Sequence, residues 1–253
     1  MSEEQEQGTQ EAPEPQGAGG RSSRGVWLGA GAALLVVVAL VVISLVSSGG
    51  SGGGGTPSAA GPPAAPAAPP AATRVPGDPF ALGRPDAPVA IVEWADFQCP
   101  YCAQYTTETE PALIAQYVNT GKVRLEWRDF PFLGPESTKA AVAARAAGRQ
   151  GRFWQYHDAL YAEQHPENSG AVTDAYLVGL AGRLKLDTAR FTADMADRAL
   201  AAQVSADKAD GTRRGVNGTP AFVVDGELVS GAQPLADFQK AIDAALARRP
   251  ATR

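Results

Sequence analysis

The protein has 253 residues and a formal net charge of −5, and charged residues make up only 19% of it, against roughly 25% in an ordinary soluble protein. From residue 77 onwards, 19 basic and 22 acidic side chains leave a net charge of −3, which provides no positive field for nucleic acid. The two cysteines, Cys99 and Cys102, are too few for a multi-disulfide scaffold or a four-cysteine zinc site. Composition therefore argues against a nucleic-acid-binding protein, a multi-disulfide scaffold and a four-cysteine zinc protein.

An apolar segment near the N-terminus has the length of a membrane span. Residues 26–46, VWLGAGAALLVVVALVVISLV, would rise about 31 Å as a helix, against a hydrocarbon core of about 30 Å. A cleaved signal peptide is the alternative, but its apolar core is only about 7 to 15 residues long. Arg21 and Arg24 precede the segment, and the next basic residue is Arg74. We therefore expect an uncleaved single-pass anchor with its N-terminus in the cytoplasm and the rest of the chain outside.

The segments that flank this apolar stretch have the composition of unfolded chain. Residues 1–25 are acidic and rich in Gln, Gly and Pro, which predicts a disordered cytoplasmic tail. Residues 47–76 are Gly-rich and then rich in Pro and Ala, which predicts a flexible and then extended linker. A proline-rich recognition ligand is the competing interpretation, and the lack of basic residues beside the prolines disfavours it.

A strand, a helix and a second strand are expected at the start of the folded domain. Residues 89–94, VAIVEW, form a β-branched run typical of a buried strand. A helix should follow over residues 102–120, kinked by Pro111 and ended by Gly121. Apolar and charged residues then alternate over 123–128, which is the period of a strand.

The second half of the domain is predicted to contain several helices, then a β-hairpin and a last helix. Residues 135–214 predict an all-helical insertion of about 80 residues, with helices starting near Thr173 and Thr188. The elements expected after it are a strand at 221–224, a turn at Asp225 and Gly226, a strand at 227–230 and a helix at 234–248. The order βαβ, helices, ββα predicts one α/β domain over residues 77–253.

The sequence Phe97-Gln-Cys-Pro-Tyr-Cys102 stands where the first strand gives way to the first helix. Cys99 is expected at the helix N-terminus, exposed, with Cys102 one turn inside. The helix dipole alone would lower the pKa of a thiol there from about 8.5 to about 7. A lower pKa needs hydrogen bonds from backbone amides to the Cys99 sulfur.

Three other interpretations of this motif compete with redox chemistry. A zinc site lacks partners, because there is no second Cys-x-x-Cys and the only histidines are His157 and His165. A haem attachment requires a histidine directly after the second cysteine, but position 103 is Ala103. A structural disulfide would close a small loop and stabilise the fold weakly. Outside the cell, after a strand and before a helix, the spacing favours disulfide chemistry.

Three segments in this order resemble the DsbA-like thiol:disulfide oxidoreductases of the thioredoxin superfamily, in the membrane-anchored form of Gram-positive and actinobacterial envelopes. The segments are LGRPDAPVAIVEWADFQCPYC at residues 82–102, FWQYHDAL at 153–160 and GVNGTPAF at 215–222. The resemblance covers about residues 78–246. It implies a thioredoxin-like α/β fold with an all-helical insertion, here preceded by one transmembrane helix and a disordered linker.

The resemblance assigns roles to the two cysteines and the dipeptide between them. It implies that Cys99 is the attacked and attacking sulfur and that Cys102 is its buried partner. Pro100 and Tyr101 fill the variable dipeptide, which tunes the reduction potential in the family. Strong oxidants of the family have His where this chain has Tyr101, so loss of a cation beside the thiolate should make this protein less oxidising.

Other positions of the family site match as well. Thr219 and Pro220 match the cis-proline loop, which pairs its backbone with an extended substrate, although sequence alone favours a trans bond. Glu93 matches the buried acid that relays a proton near Cys102, against the alternative of a solvated carboxylate. Asp96 is expected at an exposed strand end, and His157 is expected to make a polar contact on its helix.

These inferences predict an extracytoplasmic thiol oxidase that gives its disulfide to secreted or envelope proteins, with no metal and no dissolved cofactor. Family analogy implies reoxidation by a membrane protein of the DsbB or vitamin K epoxide reductase type. Two alternatives remain open from the sequence. One is a reductase or isomerase of the same fold, and the other is a non-catalytic module or chaperone that binds extended peptides.

Overall fold

The computed structural model describes residues 70–249. The predicted tail, the predicted transmembrane helix and most of the linker lie outside these residues. Within 70–249, none of the helices is both long enough and apolar enough to cross a membrane.

One five-stranded sheet carries the domain, in the order β1-β3-β2-β4-β5. The strands are β1 (Ala81–Leu82), β2 (Val89–Ala95), β3 (Val123–Asp129), β4 (Ala221–Val224) and β5 (Glu227–Ser230). The central strand β2 runs parallel to β3 and antiparallel to β4, and every residue of β2 is buried. The strands predicted from the sequence are confirmed, whereas β1 was not predicted.

A long interrupted helix joins β2 to β3. It consists of α1 (Pro100–Gln104), a π-helical turn (Tyr105–Thr109), α2 (Glu110–Leu113) and a second π-helical turn (Ile114–Val118). The interruption surrounds Pro111, which has no N–H to donate to the preceding turn. Gly121 adopts φ +74° just after the helix, which is the left-handed conformation that ends helices. The predicted helix end is confirmed, and the helix is interrupted on both sides of Pro111, where the sequence predicts a kink.

Five helices form the predicted insertion between β3 and β4. They are α3 (Pro135–Gly148), α4 (Phe153–Ala162), α5 (Asp174–Arg183), α6 (Thr188–Met195) and α7 (Arg198–Arg213). Thr173 caps α5 by accepting a hydrogen bond from the Tyr176 N–H at 3.1 Å. α6 starts at Thr188, as predicted, and Asp187 caps it by accepting a hydrogen bond from the Arg190 N–H. The last helix, α8 (Leu235–Ala247), follows β5 and packs beside the interrupted helix on the face of the sheet that carries Ile91, Leu125 and Phe222.

A buried charge cluster holds the insertion against the sheet. Arg145 of α3 forms ion pairs with Asp129, at the end of β3, and with Asp207 of α7. The Trp127 indole N–H also donates to Asp129, at 2.9 Å. Because Asp129 is fully buried, the guanidinium of Arg145 supplies the positive charge that its carboxylate requires.

Candidate active site

The first turn of the interrupted helix places Cys99 at its N-terminus. Cys99 precedes α1 in extended conformation, with φ −73° and ψ 120°, and Pro100 occupies the first turn. The Ala103 N–H donates to the Cys99 carbonyl at 3.1 Å, which closes the first helical turn. The sulfur of Cys99 therefore lies at the positive end of the helix, where a thiolate is stabilised.

The two cysteines have opposite electrostatic environments, and both are free thiols. The pKa of Cys99 is lowered to about 6, first by a hydrogen bond with the Cys102 side chain and further by the N–H groups of Cys102 and Tyr101. Burial raises the pKa of Cys102 well above its usual value, and the Cys99 sulfur raises it further. The hydrogen bond with the Cys102 side chain, assisted by the amide hydrogen bonds, explains why the pKa of Cys99 lies below the value expected from the dipole alone.

The dipeptide between the cysteines lies at the surface, but Cys99 itself is more covered than predicted. Tyr101 is 64% exposed and Pro100 is exposed, whereas only 5% of Cys99 is exposed and Cys102 is fully buried. Cys99 is covered because a distant loop packs against its sulfur. The expectation of a freely exposed Cys99 was wrong for this reason.

That loop is the segment around Thr219 and Pro220. The Thr219–Pro220 peptide bond is cis, and the Cys99 thiol lies 3.3 Å from the Thr219 carbonyl oxygen. Pro220 immediately precedes β4, and its carbonyl accepts a hydrogen bond from the Gly231 N–H at 2.8 Å. The structure thus brings together Cys99, Cys102, Thr219 and Pro220, which are the positions matched from the sequence.

Glu93 lies on β2 inside the domain, beneath the cysteine pair. It is 1% exposed, and neither carboxylate oxygen has a hydrogen-bond partner among the described residues. Burial raises the pKa of Glu93 well above its ordinary value, and the nearby Glu110 raises it further. The charge of Glu93 in turn contributes to the raised pKa of Cys102. The alternative of a solvated carboxylate is therefore wrong.

Asp96 is buried as well, which corrects the expectation of an exposed strand end. One carboxylate oxygen accepts from the Gln98 N–H at 2.8 Å, and the other accepts from Phe132 and Leu133 N–H groups at 2.7 and 2.9 Å. The Cys99 N–H donates to the Asp96 carbonyl at 3.0 Å. Asp96 is buried because it supplies acceptors to the turn that carries Cys99 and to the loop after β3.

Comparison with known proteins identifies the family. The sequence profile of the Thioredoxin family matches residues 76–244. A probable disulfide bond formation protein D from Bacillus cereus is 33% identical over 168 residues, which cover 64% of this chain and 76% of that protein. The chain belongs to the DsbA-like thiol:disulfide oxidoreductases of the thioredoxin superfamily. The predicted thioredoxin-like fold with a helical insertion is thereby confirmed for this DsbA-like protein.

Solved structures agree with this assignment. A thioredoxin-like oxidoreductase from Silicibacter pomeroyi is 31% identical to the DsbA-like chain, with a TM-score of 0.59, and the match covers 69% of this chain and all of that one. Oxidised BdbD from Bacillus subtilis has the same fold at 24% identity, with a TM-score of 0.62, over 66% of this chain and 92% of that one.

A different kind of relative is much longer than this DsbA-like protein. A Na⁺/H⁺ antiporter, NhaA 1 of Salinispora arenicola, is 38% identical over 178 residues, which cover 68% of this chain. The chain spans only 26% of that antiporter's length. A domain similar to this one therefore forms part of a longer polypeptide in that organism.

Two titratable residues of the DsbA-like domain were not assigned to the site from the sequence. Glu110 is buried beside Glu93 and His157, and burial raises its pKa to about 7. His157 makes the predicted polar contact, from Nδ1 to the Asp158 carboxylate at 2.9 Å, but it is fully buried. In the sequence, Glu110 lies in the polar run TTETE, which resembles a solvated helix face and gives no sign of its burial.

Proposed function

We propose that this protein is an extracytoplasmic thiol oxidase that donates a Cys99–Cys102 disulfide to secreted or envelope proteins. The observation that carries the proposal is the acidic thiol of Cys99, which stands at a helix N-terminus in contact with the Thr219 carbonyl. A thiol with a stabilised thiolate is a good leaving group, so a disulfide that contains it is readily transferred.

The reaction consists of two thiol–disulfide exchanges. A client thiolate attacks the Cys99 sulfur of the oxidised pair, the Cys99–Cys102 bond breaks, and Cys102 leaves with the bonding electrons and takes up a proton. A second client thiolate then attacks the client sulfur of the mixed disulfide and releases Cys99 as a thiolate. The client has lost two electrons, which the cysteine pair now holds, and no metal or dissolved cofactor takes part.

The remaining matched residues have supporting roles in this proposal. Pro100 and Tyr101 set the reduction potential from the surface of the first turn. Thr219 and Pro220 present a backbone edge to an extended client segment, because proline has no N–H to engage in the sheet. Glu93 exchanges a proton with Cys102, which its burial beside that residue supports.

The location of the reaction follows from the N-terminal sequence. Residues 1–25 form a cytoplasmic tail, 26–46 a transmembrane anchor and 47–76 a linker, so residues 77–253 work outside the membrane. The antiporter relative supports a membrane setting, because its name is that of a transporter and it contains a similar domain. Reduced Cys99 and Cys102 are then reoxidised by a membrane protein of the DsbB or vitamin K epoxide reductase type.

A trapping experiment tests this function. In a Cys102→Ala protein the Cys99 thiolate can attack the disulfide of an oxidised client, which reverses the second exchange, but no second thiol is present to resolve the mixed disulfide. Client proteins should therefore accumulate as mixed disulfides on Cys99. The matched control is the double variant Cys99→Ser, Cys102→Ala, which should trap nothing. If no adducts form through Cys99, the oxidase proposal fails. If Cys99→Ser alone retains the full cellular role, the protein is a non-catalytic peptide-binding module instead.

One observation favours a second candidate, a reductase or isomerase. Tyr101 is exposed and uncharged, so the first turn lacks the cation that stabilises the thiolate in strong oxidants. Equilibration of the purified protein with glutathione distinguishes the two directions. A reduction potential of about −120 mV indicates an oxidase, whereas one at or below about −250 mV indicates a reductase.

A further inference from the structure

A group of buried polar side chains lies between the sheet, the interrupted helix and α4. Their unpaired atoms are the carboxylate oxygens of Glu93, the hydroxyls of Tyr105 and Thr106, Glu110 Oε1, the Trp154 indole nitrogen and His157 Nε2, none of which has a hydrogen-bond partner among the described residues. Each unpaired buried polar group costs about 1 to 3 kcal/mol. Such a concentration next to a redox pair calls for a functional explanation.

The sheet register shows that these groups are neighbours. On β2, Glu93 lies between Trp127 of β3 and Phe222 of β4. The Trp127 ring packs edge-on against the His157 ring, with centroids 4.9 Å apart. On the other side, the Phe222 and Tyr105 rings are 4.6 Å apart. Glu93 is therefore one side chain away from both His157 and Tyr105.

The π-helical turn brings Glu110 into the same group. The Glu110 N–H donates to the Tyr105 carbonyl, five residues back, instead of to the residue four back. This wider turn rotates Glu110 towards the side of Tyr105 and Thr106 that faces the sheet. For this reason Glu110 is buried next to Glu93, although it belongs to a polar run of the sequence.

The outer end of the group reaches solvent through α4. His157 is fully buried, but its Nδ1 lies 2.9 Å from the carboxylate of Asp158, whose side chain is 69% exposed. The side chains Cys102, Glu93, Glu110, His157 and Asp158 thus follow one another from the buried thiol to the surface. Among these five, the structure shows a hydrogen-bond contact only between His157 and Asp158, and the unpaired atoms of Glu93, Glu110 and His157 are free to exchange a proton.

We propose that Glu110 and His157 continue the proton path of Glu93 to the surface at Asp158, and so deliver the proton that Cys102 takes up during disulfide donation. This inference rests on the function proposed above. Neither residue touches the reacting sulfur, so both are positioning residues for the proton.

The proton balance is simple. When the Cys99–Cys102 bond breaks, the Cys102 thiolate takes a proton from Glu93, which is replenished by Glu110 and then by His157. Asp158 passes a proton from solvent to Nδ1 of His157 as Nε2 releases one to Glu110, so both glutamates regain their protons and the imidazole is left in its other tautomer. When the cysteine pair is reoxidised, Cys102 returns its proton along the same path, which restores the first tautomer. One proton is consumed for each mixed disulfide formed, and no electrons move along the path.

The ionisation of these groups supports this direction of transfer. The pKa of Glu110 is raised to about 7, first by burial, while the nearby His157 lowers it and Asp158 raises it. Glu110 can therefore both hold and release a proton near neutral pH. The other groups that face the path, Tyr105 and Tyr161, have pKa values raised well above normal by burial, so both keep their protons.

The test is single-turnover oxidation of a reduced dithiol peptide by the oxidised full-length protein in detergent, measured from pH 5 to 9. Once the rate is divided by the thiolate fraction of the peptide, the parent protein should slow as pH rises through about 7, where Glu110 ionises. Glu110→Gln should react at least about tenfold more slowly at pH 6, where the acid is protonated, and should lose this inflection. The matched control is Glu108→Gln, on the exposed side of the same π-helical turn.

The outcomes separate this inference from the function on which it rests. The path is supported if the parent and Glu108→Gln proteins oxidise the peptide with the inflection near pH 7. Glu110→Gln and His157→Gln should both oxidise it slowly, at a rate that does not change with pH. An unchanged pH profile in Glu110→Gln overturns it while the oxidase function stands. If the parent protein fails to oxidise the peptide, the proposed function itself fails. The pKa of Cys99, measured from thiolate absorbance, should be the same in all of these proteins. A shifted pKa of Cys99 in Glu110→Gln would mean that the substitution acts on the cysteine pair directly, and it would overturn the path.

Discussion

The Cys99 thiol lies 3.3 Å from the carbonyl oxygen of Thr219, a residue 120 positions further along the chain. This contact joins the start of the interrupted helix to the loop before β4. In the function proposed above, it places the reacting sulfur beside the stretch of backbone that would pair with an extended client peptide. A client held on that loop would present its own sulfur to Cys99 at the exposed turn of Pro100 and Tyr101.

Alkylation should distinguish the two cysteines by their pH profiles. Cys99 should react with iodoacetamide at a rate that is half-maximal at pH about 6, since its pKa is lowered to about 6. Cys102 should stay unmodified in the native protein because it is fully buried and its pKa is raised. Peptide mass spectrometry after timed alkylation measures both rates.

The unfolded protein provides the control for alkylation. In denaturant both cysteines should react alike, with an ordinary thiol pKa of about 8.5. A half-maximal rate near pH 8.5 for Cys99 in the native protein would contradict the structure, as would equal labelling of Cys102.

The stability of the reduced protein relative to the oxidised protein should rise with pH between about 6 and 8. In this window the unfolded Cys99 thiol holds a proton that the native thiolate has lost, so native stability grows by up to about 1.4 kcal/mol per pH unit. The gain is lost as pH falls through about 6. Above about pH 8, the unfolded Cys102 thiol loses its proton while the native thiol keeps it, because the native pKa is raised. This difference opposes the further gain in stability with pH.

Urea unfolding of both redox forms at several pH values measures this difference. Buried acids such as Glu110 are present in both forms, so their titration largely cancels in the comparison. In Cys99→Ser the pH dependence of the reduced form should fall to that of the oxidised form. A difference that is flat from pH 6 to 8 would mean that Cys99 has no stabilised thiolate.

The sequence predicts the fold well because its strongest patterns are local. The run at 89–94, the alternation at 123–128, and the glycine at position 121 each act over a few residues, and the structure has the corresponding elements. The strand β1 has only two residues, Ala81 and Leu82, and exists through its pairing with β3. No pattern of two residues can predict such a strand.

The parts of the site that sequence reasoning missed depend on tertiary contacts. Glu110 is buried through a π-helical turn, and Asp96 through hydrogen bonds to a loop about 36 residues away.

The charged residues of β3 also differ from a simple strand pattern. Arg124 and Glu126 form an ion pair at 2.7 Å, and both are buried, so the alternation at this strand does not separate a core face from a solvated one.

Removal of the Arg145 guanidinium should destabilise the domain strongly. Arg145→Leu leaves the fully buried carboxylate of Asp129 without its cation, and such losses cost about 3 to 5 kcal/mol. The matched control is Arg149→Leu, one turn later at the C-terminal end of α3, where partly exposed ion pairs with Asp194 and Asp197 are lost. That change should cost at most about 1 kcal/mol. Urea unfolding gives both values, and similar losses in the two variants would refute the role of Arg145.

Two glycines inside helices should respond in opposite ways to alanine. At Gly211 of α7, a Cβ atom would lie 2.7 Å from Cδ1 of Trp94 and 3.0 Å from Cδ2 of Phe130. Trp94 is fully buried, so it has no room to withdraw, and overpacking of this kind costs about 1 to 3 kcal/mol.

At Gly179 of α5, a Cβ atom would meet nothing within 4 Å, so Gly179→Ala should stabilise the domain by about 0.5 to 1 kcal/mol through helix propensity alone. Thermal unfolding of the two variants measures the contrast. Because the Gly211→Ala change presses α7 onto β2, the strand that leads to Cys99, it should also slow peptide oxidation, while Gly179→Ala should not. Equal stability of the two variants would mean that α7 and β2 are packed less closely than the structure has them.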